Sequence, residues 1–127
     1  MTRPDWDTYF LGICTAVSAR GDCVRKQVGA IVVKNNRITG CGYNGSAPGQ
    51  PGCLTGNACP RGRGETPATG DYDLCIATHA EVNAILDTDR DRRQGATLYC
   101  THAPCPGCAK VIASAGIIRT VSPGNGR

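Results

Sequence analysis

No apolar run in this sequence approaches the ~18 residues that a helical membrane span requires. The opening residues, Met-Thr-Arg-Pro-Asp-Trp, are not followed by an apolar signal segment, which argues against export and for a cytoplasmic setting. A long basic run is missing too: 14 basic residues stand against 10 acidic ones, for a net charge of +4. Arg90, Arg92 and Arg93 alternate with Asp89 and Asp91, the pattern of a solvated face. No nucleic-acid polymer is therefore expected as a partner, and a small phosphorylated substrate suits the mild positive charge equally well. There is no internal repeat and no low-complexity block. Histidine and glutamate are scarce, with His79 and His102, Glu65 and Glu81 the whole supply. That His79 and Glu81 nevertheless fall two residues apart marks the pair for chemistry.

Cysteine, by contrast, is abundant: Cys14, Cys23, Cys41, Cys53, Cys59, Cys75, Cys100, Cys105 and Cys108. Nine is an odd number, and a cytoplasmic chain keeps its thiols reduced. This density favours metal ligation over disulfides. The 127 residues, 40% hydrophobic and 19% charged, fit one domain spanning 1–127 with a core of its own.

Periodicity predicts a helix over 5–19, with Trp6, Tyr9, Phe10, Ile13 and Val17 as a core-facing stripe, Pro4 in its first turn and Gly21 at its exit. Val28 to Val33 is a continuous apolar run, expected to form a strand buried on both faces. A turn over 34–37 and a strand over 38–42 complete a hairpin. Residues 43–74 carry seven Gly and four Pro with few large apolar side chains, a long loop that something must hold. Helix 79–87, strand 96–100, helix 105–115 closed by Gly116, and strand 117–121 follow, with a fraying tail. Strand–helix alternation here implies parallel pairing through a crossover.

Two motifs carry the chemistry: Thr78-His79-Ala80-Glu81 and Pro104-Cys105-Pro106-Gly107-Cys108. Three N/S ligands, His79, Cys105 and Cys108, would bind Zn²⁺ and leave a fourth position open, the catalytic arrangement. Cys-x-x-Cys at a helix start benefits from unpaired N–H groups and the helix dipole. Residues two apart diverge in mid-helix, so His79 and Glu81 converge only at a helix entrance. His-x-Glu followed by Pro-Cys-x-x-Cys is the signature of zinc deaminases, in which metal-activated hydroxide attacks the amino-bearing carbon and the glutamate shuttles protons. The competing reading is a structural zinc knuckle, a non-catalytic binding module with Glu81 exposed.

Further motifs, Cys23-Val24-Arg25-Lys26-Gln27-Val28-Gly29-Ala30, Gly42-Tyr43-Asn44-Gly45, His79-Ala80-Glu81-Val82-Asn83-Ala84-Ile85 and Pro104-Cys105-Pro106-Gly107-Cys108-Ala109-Lys110, resemble the deoxycytidylate (dCMP) deaminase family from Trp6 to about Thr120. The resemblance implies a three-layer α/β/α cytidine-deaminase domain around a mixed sheet, and deamination of dCMP to dUMP. Deamination of another cytosine nucleoside, nucleotide or related amino-pyrimidine is the alternative. It further implies Asn44 at the sugar, Ala80 at the base, a homo-oligomer, and regulation by dCTP and dTTP in some members. Relatives usually continue past the fourth strand into a phosphate-binding region, so the domain is expected to be shortened at its C-terminus. Arg25 and Lys26 are candidate substitutes for the phosphate contact, or solvated surface. His102 is either pocket lining or polar surface.

Cys23, Cys53, Cys59 and Cys75 flank or lie in the long loop. A closed four-cysteine zinc would anchor that segment, and a second zinc occurs in the family that the chain resembles; four unligated thiols are the alternative. Cys14, Cys41 and Cys100 are expected to be small core residues.

Overall fold

The computed structural model describes residues 2–60, 63–64 and 75–123. The expectations for 61–62, for 65–74 of the long loop and for 124–127 of the tail lie outside the described residues.

The elements run α1 (Trp6–Ser18), β1 (Gly29–Lys34), β2 (Arg37–Tyr43), α2 (Cys53–Gly56), α3 (Ala80–Leu86), α4 (Arg90–Arg93), β3 (Thr97–Cys100), α5 (Pro106–Ser114) and β4 (Arg119–Val121). The four strands form one sheet in the order β2-β1-β3-β4. β1 is antiparallel to both its neighbours, and β3 is parallel to β4, so the sheet is mixed. The parallel pair is the one joined by α5, as strand–helix alternation requires. β1 and β2 are linked by Asn35 and Asn36, both at positive φ, the backbone twist that a two-residue hairpin needs.

Helices cover both faces. Phe10 and Cys14 of α1 pack on Ile31, Val33 and Tyr99. On the opposite face, Ala80, Ala84 and Ile85 of α3 and Ile112 of α5 pack on Ala30, Val32, Leu98 and Cys100. β1 lies between both clusters, and Gly29 to Val33 are all buried, which explains its unbroken apolar run. α3 lies close on β2 because Gly40 and Gly42 present no side chain: a Cβ on Gly42 would collide with the Ala84 N–H and the Asn83 backbone.

Several expectations are corrected. Asp5, not Pro4, starts α1, its carboxylate accepting from the Thr8 N–H at 2.8 Å. Trp6 and Tyr9 are 54% and 47% exposed and are not core. The line of contact with the sheet runs through Phe10 and Cys14; Trp6 stacks on Phe10 and Tyr9 packs against it at a tilt. Cys41 is exposed, on the edge strand β2; Cys14 and Cys100 are buried as expected. Residues 90–93 form a short helix capped by Asp89, within which Arg93 is half-buried and donates to the Thr88 carbonyl. The long loop contains a helix, α2, which the Gly and Pro content concealed.

Candidate active site

Both ligand motifs sit where a helix begins. His79 is the N-cap of α3, with extended backbone (φ −66°, ψ 150°). Cys105 is the N-cap of α5 (φ −70°, ψ 165°), and Pro106 fits its first turn because that position needs no N–H donor. The two helix entrances meet. His79 Nδ1 lies 3.1 Å from Cys108 Sγ and 3.6 Å from Cys105 Sγ. All three ligand atoms lie within 4.8 Å of one another, and no other group of three or more His, Cys, Asp or Glu does so among the described residues.

One imidazole nitrogen and two sulfurs are the donor set of a zinc site with one position left over, so the residues fit the metal. Burial pushes the Cys108 thiol up, and the nearby Glu81 carboxylate pushes it in the same direction. Negative groups enclosed in this way are stabilised by a cation among them. Glu81 occupies the second position of α3 and is only 5% exposed. A purely structural knuckle would leave it in solvent.

A cavity of about 310 Å³ opens on this cluster. His79, Glu81 and Cys105 form part of its wall, with Ala80, which has no exposed surface and leaves the space open. Asn44 also faces the cavity, but much of its amide is already engaged. Its Oδ1 accepts from the Val28 N–H at 2.9 Å and its Nδ2 donates to the Lys26 carbonyl at 2.7 Å. It thereby holds the segment that brings Arg25 and Lys26 to the same cavity. His102 is pocket lining; its Nδ1 is 2.7 Å from Thr101 Oγ1, which accepts from the Gly29 N–H. The neck of the long loop is closed by a reciprocal pair of bonds between Gly45 and Thr78.

The profile of the cytidine and deoxycytidylate deaminase zinc-binding region matches residues 4–123. The chain belongs to that family. It is 52% identical over 128 residues to the deoxycytidylate deaminase of Mycobacterium phage D29, covering 97% of this chain and 98% of the relative. It is 37% identical to the deoxycytidylate deaminase of Schizosaccharomyces pombe, over 94% of this chain but only 37% of that one. Among solved structures it resembles the dCMP deaminase of cyanophage S-TIM5 in complex with dCMP and dUMP, with a TM-score of 0.70 and 30% identity over 96% of this chain and 83% of the other. The α/β/α architecture with its mixed sheet is thus the deaminase fold that the motifs implied.

The remaining cysteines of this deaminase are brought together in part. Cys53 Sγ accepts from the Val24 N–H at 3.5 Å, beside Cys23, and shares a hydrogen bond with Cys59. Burial pushes the Cys53 thiol up to about 11. Cys23 and Cys75 both face the same cavity as His79 and Glu81. The four sulfurs do not converge as tightly as the His79 set. Asp22 and Thr101, which fasten the cavity wall, escaped the sequence reading. Their partners are distant in the chain, and nothing local in their neighbourhood signals the contacts.

Proposed function

We propose that this chain hydrolyses dCMP to dUMP and ammonia. The observation that carries the reading is a three-donor His79, Cys105 and Cys108 set opening, beside buried Glu81, into a cavity that Arg25 and Lys26 also reach. Zinc held by His79, Cys105 and Cys108 would supply Lewis-acid activation of the water that is consumed. Glu81 is placed to take a proton from the attacking water as its oxygen bonds to the amino-bearing carbon, to deliver that proton to the cytosine ring nitrogen, and to pass the second proton to the amino group, whose C–N bond then breaks to release ammonia. Its burial keeps bulk water from competing for the proton. Ala80 leaves room for the base. Asn44 retains one amide hydrogen for the sugar, and Arg25 and Lys26 offer positive charge to the 5′-phosphate. His102 completes the wall.

The test is ammonia release by the purified protein with dCMP, deoxycytidine, CMP and cytosine side by side. A kcat/KM for dCMP well above that for deoxycytidine supports the proposal. Equal values mean that the phosphate is not read, and the substrate becomes another cytosine compound. The proposal extends to a single domain over 1–127 working as a homo-oligomer in the cytoplasm. Size-exclusion with light scattering tests the assembly, and the same assay with dCTP or dTTP tests regulation. No helix among the described residues is long and apolar enough to cross a membrane.

A second zinc, structural, at Cys23, Cys53, Cys59 and Cys75 belongs to the same reading. Contacts of Cys53 with Cys59 and with the residues around Cys23 support it. Four thiolates leave no open position, so its role is to anchor the loop.

A further inference from the structure

α2 lies inside the long loop and has no cap of its own. Its N-cap is Gly52, which lacks a side chain. The N–H groups of Leu54 and Thr55, at the second and third helical positions, are those that an N-cap side chain ordinarily satisfies. Both go instead to Asp22. Its Oδ1 accepts from the Leu54 N–H at 2.8 Å and from the Thr55 N–H at 2.9 Å, and its Oδ2 accepts from the Thr55 hydroxyl at 2.8 Å. The fit is close enough that a Cβ on Gly52 would collide with the carboxylate. The backbone of Asp22 is tied to a residue that lines the cavity: its N–H donates to the Asn44 carbonyl at 2.8 Å. Asn44 in turn holds Lys26 and Val28 through its side chain. One residue beyond Cys23, the Val24 N–H meets Cys53 Sγ.

We propose that Asp22 is a positioning residue for substrate binding: by capping α2 from a distant part of the chain, it locks the long loop to the 23–28 wall of the cavity and holds Arg25 and Lys26 in place. The proposal rests on reading that cavity as the nucleotide site. It separates the loop's anchorage from metal binding, because the hydrogen bonds need no ion. The catalytic trio and Glu81 belong to α3 and α5, so a loss at Asp22 reaches substrate affinity before it reaches chemistry.

The test compares Asp22→Ala with Asp22→Asn in zinc-loaded protein. Asp22→Ala is expected to raise KM for dCMP about tenfold with kcat within about twofold, the pattern of lost binding without lost transition-state chemistry. Asp22→Asn keeps an oxygen that accepts from both N–H groups and restores most of the affinity. An unchanged KM in folded Asp22→Ala, or an Asp22→Asn as impaired as the alanine variant, overturns the proposal. If Asp22→Ala does not fold, Thr55→Val removes one of the three bonds, and a KM raised about twofold to threefold is expected; no rise overturns the proposal. Amide hydrogen exchange gives a readout independent of substrate. Asp22→Asn should keep protection at Leu54, Thr55 and Val28, and Asp22→Ala (or, more weakly, Thr55→Val) should lose it at all three. Loss at Leu54 and Thr55 with Val28 still protected overturns the link between loop and wall. A wild-type protein inert toward dCMP defeats the functional reading, and the exchange result then decides the role of Asp22 by itself.

Discussion

At the second position of α3, Glu81 is a carboxylate shielded from water and placed two residues from His79, a member of the His79, Cys105 and Cys108 cluster. It is not one of the three clustered ligand atoms. Glu81→Gln should therefore keep the catalytic zinc while losing activity by ~10²–10⁴-fold, the usual contribution of a general acid–base group. Elemental analysis and ammonia release, measured on the same preparation, check both halves. A folded, zinc-loaded variant with full activity rules out the proton shuttle. This residue was legible in the sequence because the scarcity of His and Glu made one close pair conspicuous. Cys41 was misread because a strand sequence does not say whether the strand lies at an edge.

The elements that carry the site depend on how closely they pack. α3 reaches its position because Gly42 has no side chain against Asn83 and Ala84. Gly42→Ala should push α3, and His79 and Glu81 with it, away from β2. Overpacking of this kind costs about 1–3 kcal/mol. Thermal melts should show the destabilisation, and kcat should fall because the donor set is disturbed. Element α2 makes a different prediction. If Cys23, Cys53, Cys59 and Cys75 hold a second ion, protein purified without chelator contains two zinc ions per chain, and Cys53→Ser lowers that to one. Stability should fall first and activity second, as the loop wall loosens. One zinc in the wild-type protein refutes the second site and leaves the catalytic one standing. The strands and the helices α1, α3 and α5 were readable because local periodicity and caps specify them. Four-residue α2 and α4 were not, since neither has an apolar period to betray it. α2 is capped by Asp22 from a distant part of the chain. The sequence motifs likewise named the His79, Cys105 and Cys108 cluster, but only tertiary contacts revealed which segments carry the cavity wall.

Over the whole molecule, the N-terminal helix is tied to the far strand of the sheet by three side chains. Arg119 of β4 pairs with Asp7 of α1, and the Tyr99 hydroxyl of β3 donates to the same carboxylate at 2.6 Å. The Arg119 bond, followed by that of Tyr99, holds the Asp7 carboxyl below its ordinary value of 3.8. A depressed carboxyl stabilises the fold fully above its unfolded value, and that contribution is lost as pH falls through the folded one. Burial, followed by the Asp7 bond, pushes Tyr99 up from 10.0 to about 12. A raised phenol contributes fully below its unfolded value, and the contribution is lost as pH climbs from 10.0 toward about 12. The tie should therefore act across the interval between 3.8 and 10.0 and fail on both sides. With the ion pair 53% and 38% exposed, solvent screening keeps its worth small. Asp7→Asn should lower the Tm within that interval by a small margin. It should converge with the wild type at acid pH, where Asp7 is protonated in both the folded and unfolded wild-type protein. Other carboxylates and the metal ligands also titrate in acid, but they do so equally in both proteins, so the difference between the two melting curves isolates the tie. A difference that stays constant below pH 3.8 would mean that Asp7 acts through packing and not through its charge.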